Sequence, residues 1–297
     1  MIRRTFVFLI TGIVLLSQLT RLRAEGKPWA QRITVRLLGF EPPDAETEPK
    51  PQTDNVRKTR NAKDGADLVF IPAGKSTIGY YNVTTKSYQF VELSSYYIYK
   101  NLVTVGQYRR YCKATGKVFP DHRKPDWDWF DDHPMVSVEW KEALAYCQWA
   151  GGDLPTEAQW EKAARWDEKA QKSLAYPWGD TFDLSKLWAS KAKIGDAGGT
   201  TAVGKYGISP YGVTDMAGNV WQWCRDWHDD DFWRGRAAET PDPVNRSIGE
   251  KKNRSIRGGS WSNLENAWFY SGLRQFQNPV AKLPGLGFRC VLPVKTE

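Results

Sequence analysis

Hydrophobic and polar positions divide the chain into three stretches. The first, residues 1–24, opens with Arg3 and Arg4, runs through an apolar segment from Phe6 to Leu16 and turns polar up to Ala24. A basic start, a short apolar run and a small residue before a cut form the pattern of a secretion signal. The run is shorter than the roughly 20 residues that a membrane span requires. Arg21 and Arg23 sit awkwardly in a cleavage region, so an uncleaved N-terminal anchor is the alternative, and no cysteine follows the run to carry a lipid. In the second stretch, residues 25–65, Ile33, Val35 and Leu37 alternate with polar neighbours and predict one short strand within 27–40. Residues 41–65 are rich in Pro and charge with almost nothing apolar, which predicts a flexible linker, because too little surface is available to offset the entropy of ordering.

The folded domain is expected over 66–297. Residues 67–81 read as strand, turn at Pro72–Gly74, and strand, and 90–99 alternate as a further strand. Thr104 is placed to cap a helix carrying Val105, Tyr108, Tyr111 and Cys112 on one side and ending near Gly116. In a second helix, over about 138–150, Trp140, Ala143, Leu144 and Cys147 recur at i, i+3, i+4 and i+7, and Gly151-Gly152 stops it. Thr156-x-x-Gln159 is a capping box that opens a third helix. From Tyr176 onward, short aromatic segments are separated by Gly, Pro, Asn and Asp. That texture predicts a compact α+β domain with long structured loops. No internal repeat is present.

Composition agrees: 15 Trp, 13 Tyr and 12 Phe accompany 25 Gly and 17 Pro, favouring aromatic packing in a loop-rich fold over a helical bundle. The net charge of +8 invites a nucleic-acid or anionic-membrane reading. However, residues 1–66 hold 12 Lys/Arg against 7 Asp/Glu, so most of the surplus lies outside the domain. With no basic stripe or RNA-binding motif, nucleic acid is not expected as a partner.

Several segments together carry a resemblance. FIPAG (70–74), LVTVGQY (102–108), HPMVSVEWKEALAYCQWAGGDLPTEAQWEKAAR (133–165), YPWGD (176–180), SPYGVTDMAGNVWQW (209–223), RGGSW (257–261) and GLGFRC (285–290) follow in order. In kind and order they resemble the formylglycine-generating-enzyme, or sulfatase-modifying-factor, family. The resemblance implies an irregular, loop-rich α+β fold distantly like C-type lectins.

What it implies for chemistry turns on the cysteines. The family oxidises a substrate cysteine with oxygen, using two cysteines that bind copper(I), a soft ion suited to thiolates. The first lies three residues after the Ser of the GGS motif, where this chain has Asn263 after Ser260, and no cysteine lies between Cys224 and Cys290. Formylglycine generation and copper are therefore not expected. Cys147 and Cys290 match a structural disulfide of secreted members and would suit an oxidising compartment. Cys112 and Cys224 are left either to pair or to remain buried thiols. The resemblance also implies structural calcium, with the Asp215 side chain, the Gly218 and Val220 carbonyls and the Gln222 side chain as ligands; the Gln replaces an acidic residue, which lowers affinity. A second calcium loop would correspond to about 187–199 but lacks its usual Asn. The Asp226/Asp229/Asp230/Asp231 cluster reads first as a solvated acidic loop. His122, His133 and His228 make no catalytic case.

The expectation is thus an exported, periplasmic or extracellular protein that binds rather than catalyses. Its surviving groove would be lined by Trp221, Ser260, Asn263 and Arg274, and its ligand would be a protein, peptide or glycan of the bacterial cell envelope. Membrane association would arise only through an uncleaved leader. The alternative is an oxidoreductase of the same family with altered metal or cofactor chemistry, as in siderophore maturation, organised by Ser260, Tyr270 or the acidic loop.

Overall fold

The computed structural model describes residues 59–79, 89–189, 199–229, 231–234 and 240–294. The leader and the strand expected over 27–40 lie outside these residues. So do most of the second calcium loop and Asp230.

The chain enters through β1 (Thr59–Arg60), which pairs antiparallel with β2 (Asp67–Ile71). Strand pairing therefore reaches into the segment expected to be linker. Asp64 explains why: it is 5 % exposed, and its Oδ2 accepts the hydroxyls of Tyr99 at 2.7 Å and Tyr146 at 2.5 Å. A charged residue in a polar stretch thus becomes a buried acceptor for two aromatic groups that lie far along the chain. Such a partner is invisible to local composition.

Two four-stranded sheets carry the fold. The first has the order β1-β2-β5-β12 and the second β10-β9-β8-β11, with β5 (Tyr96–Tyr99), β8 (Trp221–Trp227), β9 (Arg254–Arg257), β10 (Gln275–Gln277), β11 (Leu286–Gly287) and β12 (Val291–Pro293). β3 (Gly74–Ile78) and β4 (Gln89–Leu93) form a separate hairpin. The single strand expected over 90–99 is in fact two, in different sheets. Ser94 marks the break, where its N–H and hydroxyl donate to Asp242 at 2.8 and 2.6 Å. A small β6–β7 ribbon (Trp166–Asp167, Lys172–Ser173) completes the strands among the described residues.

All three expected helices form. In α1 (Val105–Thr115), Thr104 and Gln107 make a reciprocal capping box, and Gly116 closes the helix at φ 69°, in the left-handed region that favours glycine. α2 (Trp140–Trp149) buries Trp140, Ala143, Tyr146 and Cys147. α3 (Glu157–Arg165) opens on the Thr156/Gln159 box and is buried almost all round, charged residues included. Cys147 and Cys290 form a disulfide that ties α2 to the C-terminal segment. Cys112 and Cys224 remain separate buried thiols, which settles the alternative left open by the sequence. Next to this bridge, Gly152 lies so close to β12 that a Cβ would meet the Val291 carbonyl oxygen at 1.9 Å.

Candidate functional site

The expected binding residues gather around the turn that follows β9. Gly258 and Gly259 adopt φ 100° and 76°. A Cβ on Gly259 would lie 2.8 Å from Phe269 and 2.9 Å from the Trp268 carbonyl oxygen, so glycine is needed both for conformation and for space. The turn delivers Ser260, whose N–H and hydroxyl donate to Asn263 Oδ1 at 2.8 and 3.1 Å. The Asn263 N–H returns a bond to the Ser260 carbonyl at 3.1 Å. Asn263, at the position where the family's first copper-binding cysteine is expected, thus acts as a local loop lock. Its carboxamide oxygen is already shared by two donors.

Around this turn stand four half-buried indoles. Trp261 donates its backbone N–H to the Asn219 carbonyl at 2.8 Å and meets Trp127 edge-on at 5.4 Å. Trp221 begins β8, donates its backbone N–H to the Gly285 carbonyl at 2.8 Å and meets Trp268 edge-on at 6.2 Å. Gly285 joins the two pairs: a Cβ there would sit 3.3 Å from Ser260 Oγ and 3.6 Å from Trp261 Nε1. Leu264 and Leu283 are exposed beside them. The arrangement offers flat aromatic faces beside the exposed Ser262, suited to an extended or planar ligand. Ser260, expected to line the groove, is 1 % exposed and its hydroxyl is engaged by Asn263 and Ser262, so it braces the turn from below. Trp221, Ser260 and Asn263 are brought together here.

Arg274 is not placed there. Its guanidinium donates to Glu157 at 2.7 and 3.1 Å and to the Asp229 carbonyl at 3.0 Å. It belongs instead to a charged cluster that sequence reading missed. Glu157 is fully buried and also accepts Ser255 Oγ at 2.5 Å and Arg257 Nη1 at 3.1 Å. Glu161 accepts Arg165 and Arg257. The signal for this cluster was Glu157, Glu161 and Arg165 at i, i+4 and i+8 of α3, a charged stripe on a helix that also carries Trp160 and Ala163. Despite burial, the Glu157 carboxyl is held down at about 2, chiefly by Arg274 and Arg257.

The residues of the expected calcium site divide. Asp215 is fully buried and its Oδ1 has no hydrogen-bond partner, which fits a cation; burial holds its carboxyl above the usual range. The other side chain does not fit. Gln222 Oε1 already accepts Trp160 Nε1 at 2.8 Å and Arg289 Nε at 2.7 Å, and Gln222 Nε2 donates to the Asp215 carbonyl at 2.8 Å. The buried Arg289 guanidinium also donates to the Thr214 carbonyl at 2.7 Å. It supplies a positive charge where a divalent ion would need negative partners, so the side chains present do not fit the four-ligand set.

The remaining candidates scatter. Asp226 is buried and accepts the backbone N–H groups of Glu157 and Asn245, whereas Asp229 accepts the Asp231 N–H in a local turn. His133 meets Thr200 Oγ1 at 3.0 Å, His122 lies beside Arg123, and His228 stacks at a tilt on Phe276. Among the described residues no group of three or more His, Cys, Asp or Glu is placed to hold a metal ion. Tyr270 faces the Arg165 guanidinium. Burial pushes the Cys112 and Cys224 thiols up, away from the thiolate form that reactivity requires.

Comparison with known proteins fits this geometry. The family described as Sulfatase-modifying factor enzyme 1-like domain matches residues 53–294. Serine/threonine-protein kinase pkn1 of Chlamydia pneumoniae is 40% identical over 158 residues, covering 53% of this chain and 24% of the relative. The formylglycine-generating enzyme of Thermomonospora curvata is 34% identical over 175 residues, covering 54% and 55%. A mouse relative named inactive C-alpha-formylglycine-generating enzyme 2 is 34% identical over 172 residues, covering 53% and 48%. The matches thus span between about a quarter and just over half of these relatives' own lengths. Among solved structures, PvdO from Pseudomonas aeruginosa superposes with a TM-score of 0.67 at 24% identity, covering 82% of this chain and 99% of PvdO. Treponema denticola variable protein 1 gives 0.63 at 20% identity, covering 81% and 100%. These two establish the fold alone: α+β, loop-rich and C-type-lectin-like. With the family match extending over most of the chain and the GGS turn, disulfide and sheets in place, the chain belongs to the sulfatase-modifying factor enzyme 1-like family.

Proposed function

We propose that this chain is an exported binding protein that uses the family scaffold without the family's copper-thiolate chemistry. The observation that carries the reading is Asn263: the residue at the expected thiolate position is an amide whose oxygen is spent on Ser260. An amide supplies neither the soft ligand nor the redox chemistry of a thiolate. The two remaining thiols are buried, and burial pushes both up, away from the thiolate form. Around the locked turn, the aromatic faces of Trp221, Trp261, Trp127 and Trp268 provide a surface for a peptide or glycan of the cell envelope. A relative that is itself named inactive supports a non-catalytic use of the scaffold. Export draws support from the leader pattern and from the Cys147–Cys290 bridge, which suits an oxidising compartment.

The test is binding of the purified protein to peptide and glycan arrays, followed by calorimetry on the best ligand with Trp221→Ala and Trp261→Ala. Loss of one stacking face is expected to weaken binding tenfold or more, about 1.4 kcal/mol. Full affinity in both variants would move the ligand surface elsewhere.

A further inference from the structure

At the far end of β8 from Trp221, roughly 20 Å along the strand, lies a cavity of about 130 Å³ lined by Arg225, Trp227, Asn245, Arg246 and Arg254, with Val244. Trp227 and Arg254 are in cross-strand register between β8 and β9. The Arg254 guanidinium is clamped between two indoles, 3.5 Å from the ring centroid of Trp227 and 3.6 Å from that of Trp140. Trp140 is itself pinned, its indole N–H donating to the Cys224 carbonyl at 2.7 Å. The clamp fixes the plane of the guanidinium, and Arg254 as a whole is 7 % exposed.

That guanidinium is poorly matched by the protein around it. Its Nη1 donates to the Arg225 carbonyl at 2.7 Å, but its Nε is buried without a hydrogen-bond partner. Unpaired buried donors of a charged group are costly. Arg225 brings a second guanidinium to the same cavity and is paired at its Nε with Asp153 at 3.1 Å. Arg246 brings a third, on the exposed rim. Asp226 is close enough to act on Arg254, yet both its oxygens accept backbone N–H groups. Burial, and next Arg225, push the Arg254 guanidinium down to about 10. Packing between indoles accounts for the position of Arg254. It does not account for a second and third guanidinium around one small cavity, or for the orphaned donor.

We propose that this cavity is a binding site for a small oxyanion group, a carboxylate, phosphate or sulfate, held by Arg225, Arg246 and Arg254 with Trp227 as one wall. Planar guanidinium forks match the oxygens of such groups, and the volume admits one headgroup rather than a large ligand. The site stands apart from the aromatic surface, so its failure would leave the binding reading intact, and the reverse.

Isothermal titration calorimetry at constant ionic strength tests it, with sodium phosphate, sulfate and acetate as separate probes against chloride. Saturable one-site binding of at least one probe is expected, and the ranking of the three identifies the anion class. Arg254→Lys keeps the charge but cannot present a fork between the indoles, and is expected to weaken binding at least tenfold. Arg246→Gln, an exposed change that leaves folding intact, is expected to weaken it several-fold, while Trp221→Ala leaves it unchanged. No saturable binding of any probe, or an unchanged Kd in both arginine variants, would overturn the proposal; if Arg254→Lys fails to fold, Arg246→Gln decides.

Discussion

Single residues decide what this scaffold retains. Asn263, where the resemblance to the family leads one to expect its first copper-binding cysteine, is a hydrogen-bonded brace, and the position was legible because the family's GGS motif sets the count to it. Arg274 was not legible in the same way. As a polar residue near the turn it looked available, but its partner, Glu157, is 117 residues away in the chain. Arg274→Ala removes one of two guanidinium groups from a buried carboxylate, and the expected cost is about 3 kcal/mol of stability. Urea denaturation checks this, alongside titration of the array ligand, which is expected to bind the folded variant unchanged. Stability within 1 kcal/mol of the parent, or loss of ligand binding with stability intact, would return Arg274 to the binding surface.

Among elements, the helices were readable and the strands less so. Each helix start is set by residues three apart, such as Thr104 with Gln107, which the local sequence contains. The division between β4 and β5 depends instead on Asp242, 148 residues beyond Ser94. The same long reach governs how α3 meets β8. Asp226, on β8, accepts the first N–H of α3 through Oδ2 and the Asn245 N–H through Oδ1, both at 2.8 Å. Burial, then the neighbouring Glu157 carboxylate, raise its acid to about 7 from the ordinary 3.8. The folded state therefore binds the proton more tightly than the unfolded chain. Its stabilising contribution is complete below pH 3.8 and is lost as pH rises from there through about 7. Urea denaturation at pH 5 and pH 8 should show this loss in the parent. In Asp226→Asn it should be smaller, even though that variant starts less stable because an amide nitrogen cannot accept one of the two N–H groups. Equal pH dependence in both proteins would show that Asp226 does not titrate in this window.

At the scale of the whole molecule, the fold class was legible because the spaced motifs and aromatic–glycine texture extend through most of the chain. The start of the domain was not, because β1 and Asp64 draw their stability from partners beyond the local stretch. The Cys147–Cys290 bridge closes a loop of 143 residues. By loop entropy alone it constrains the unfolded chain by about 5 kcal/mol. Cys147→Ser together with Cys290→Ser is expected to lower the denaturation midpoint by an amount matching several kcal/mol. A change below 1 kcal/mol would mean that sheet pairing of β12 with β5 holds the C-terminal segment without help.

On the reading proposed above, the family scaffold persists here without a copper-thiolate centre. The most direct test of that reading is copper(I) titration of the purified protein against a chromogenic chelator, with oxygen uptake followed in the presence of a cysteine-containing peptide. The chelator is expected to keep the copper, and the peptide cysteine to remain unconverted. One tightly held equivalent of copper(I), with oxygen-dependent conversion of that cysteine to formylglycine, would contradict that reading.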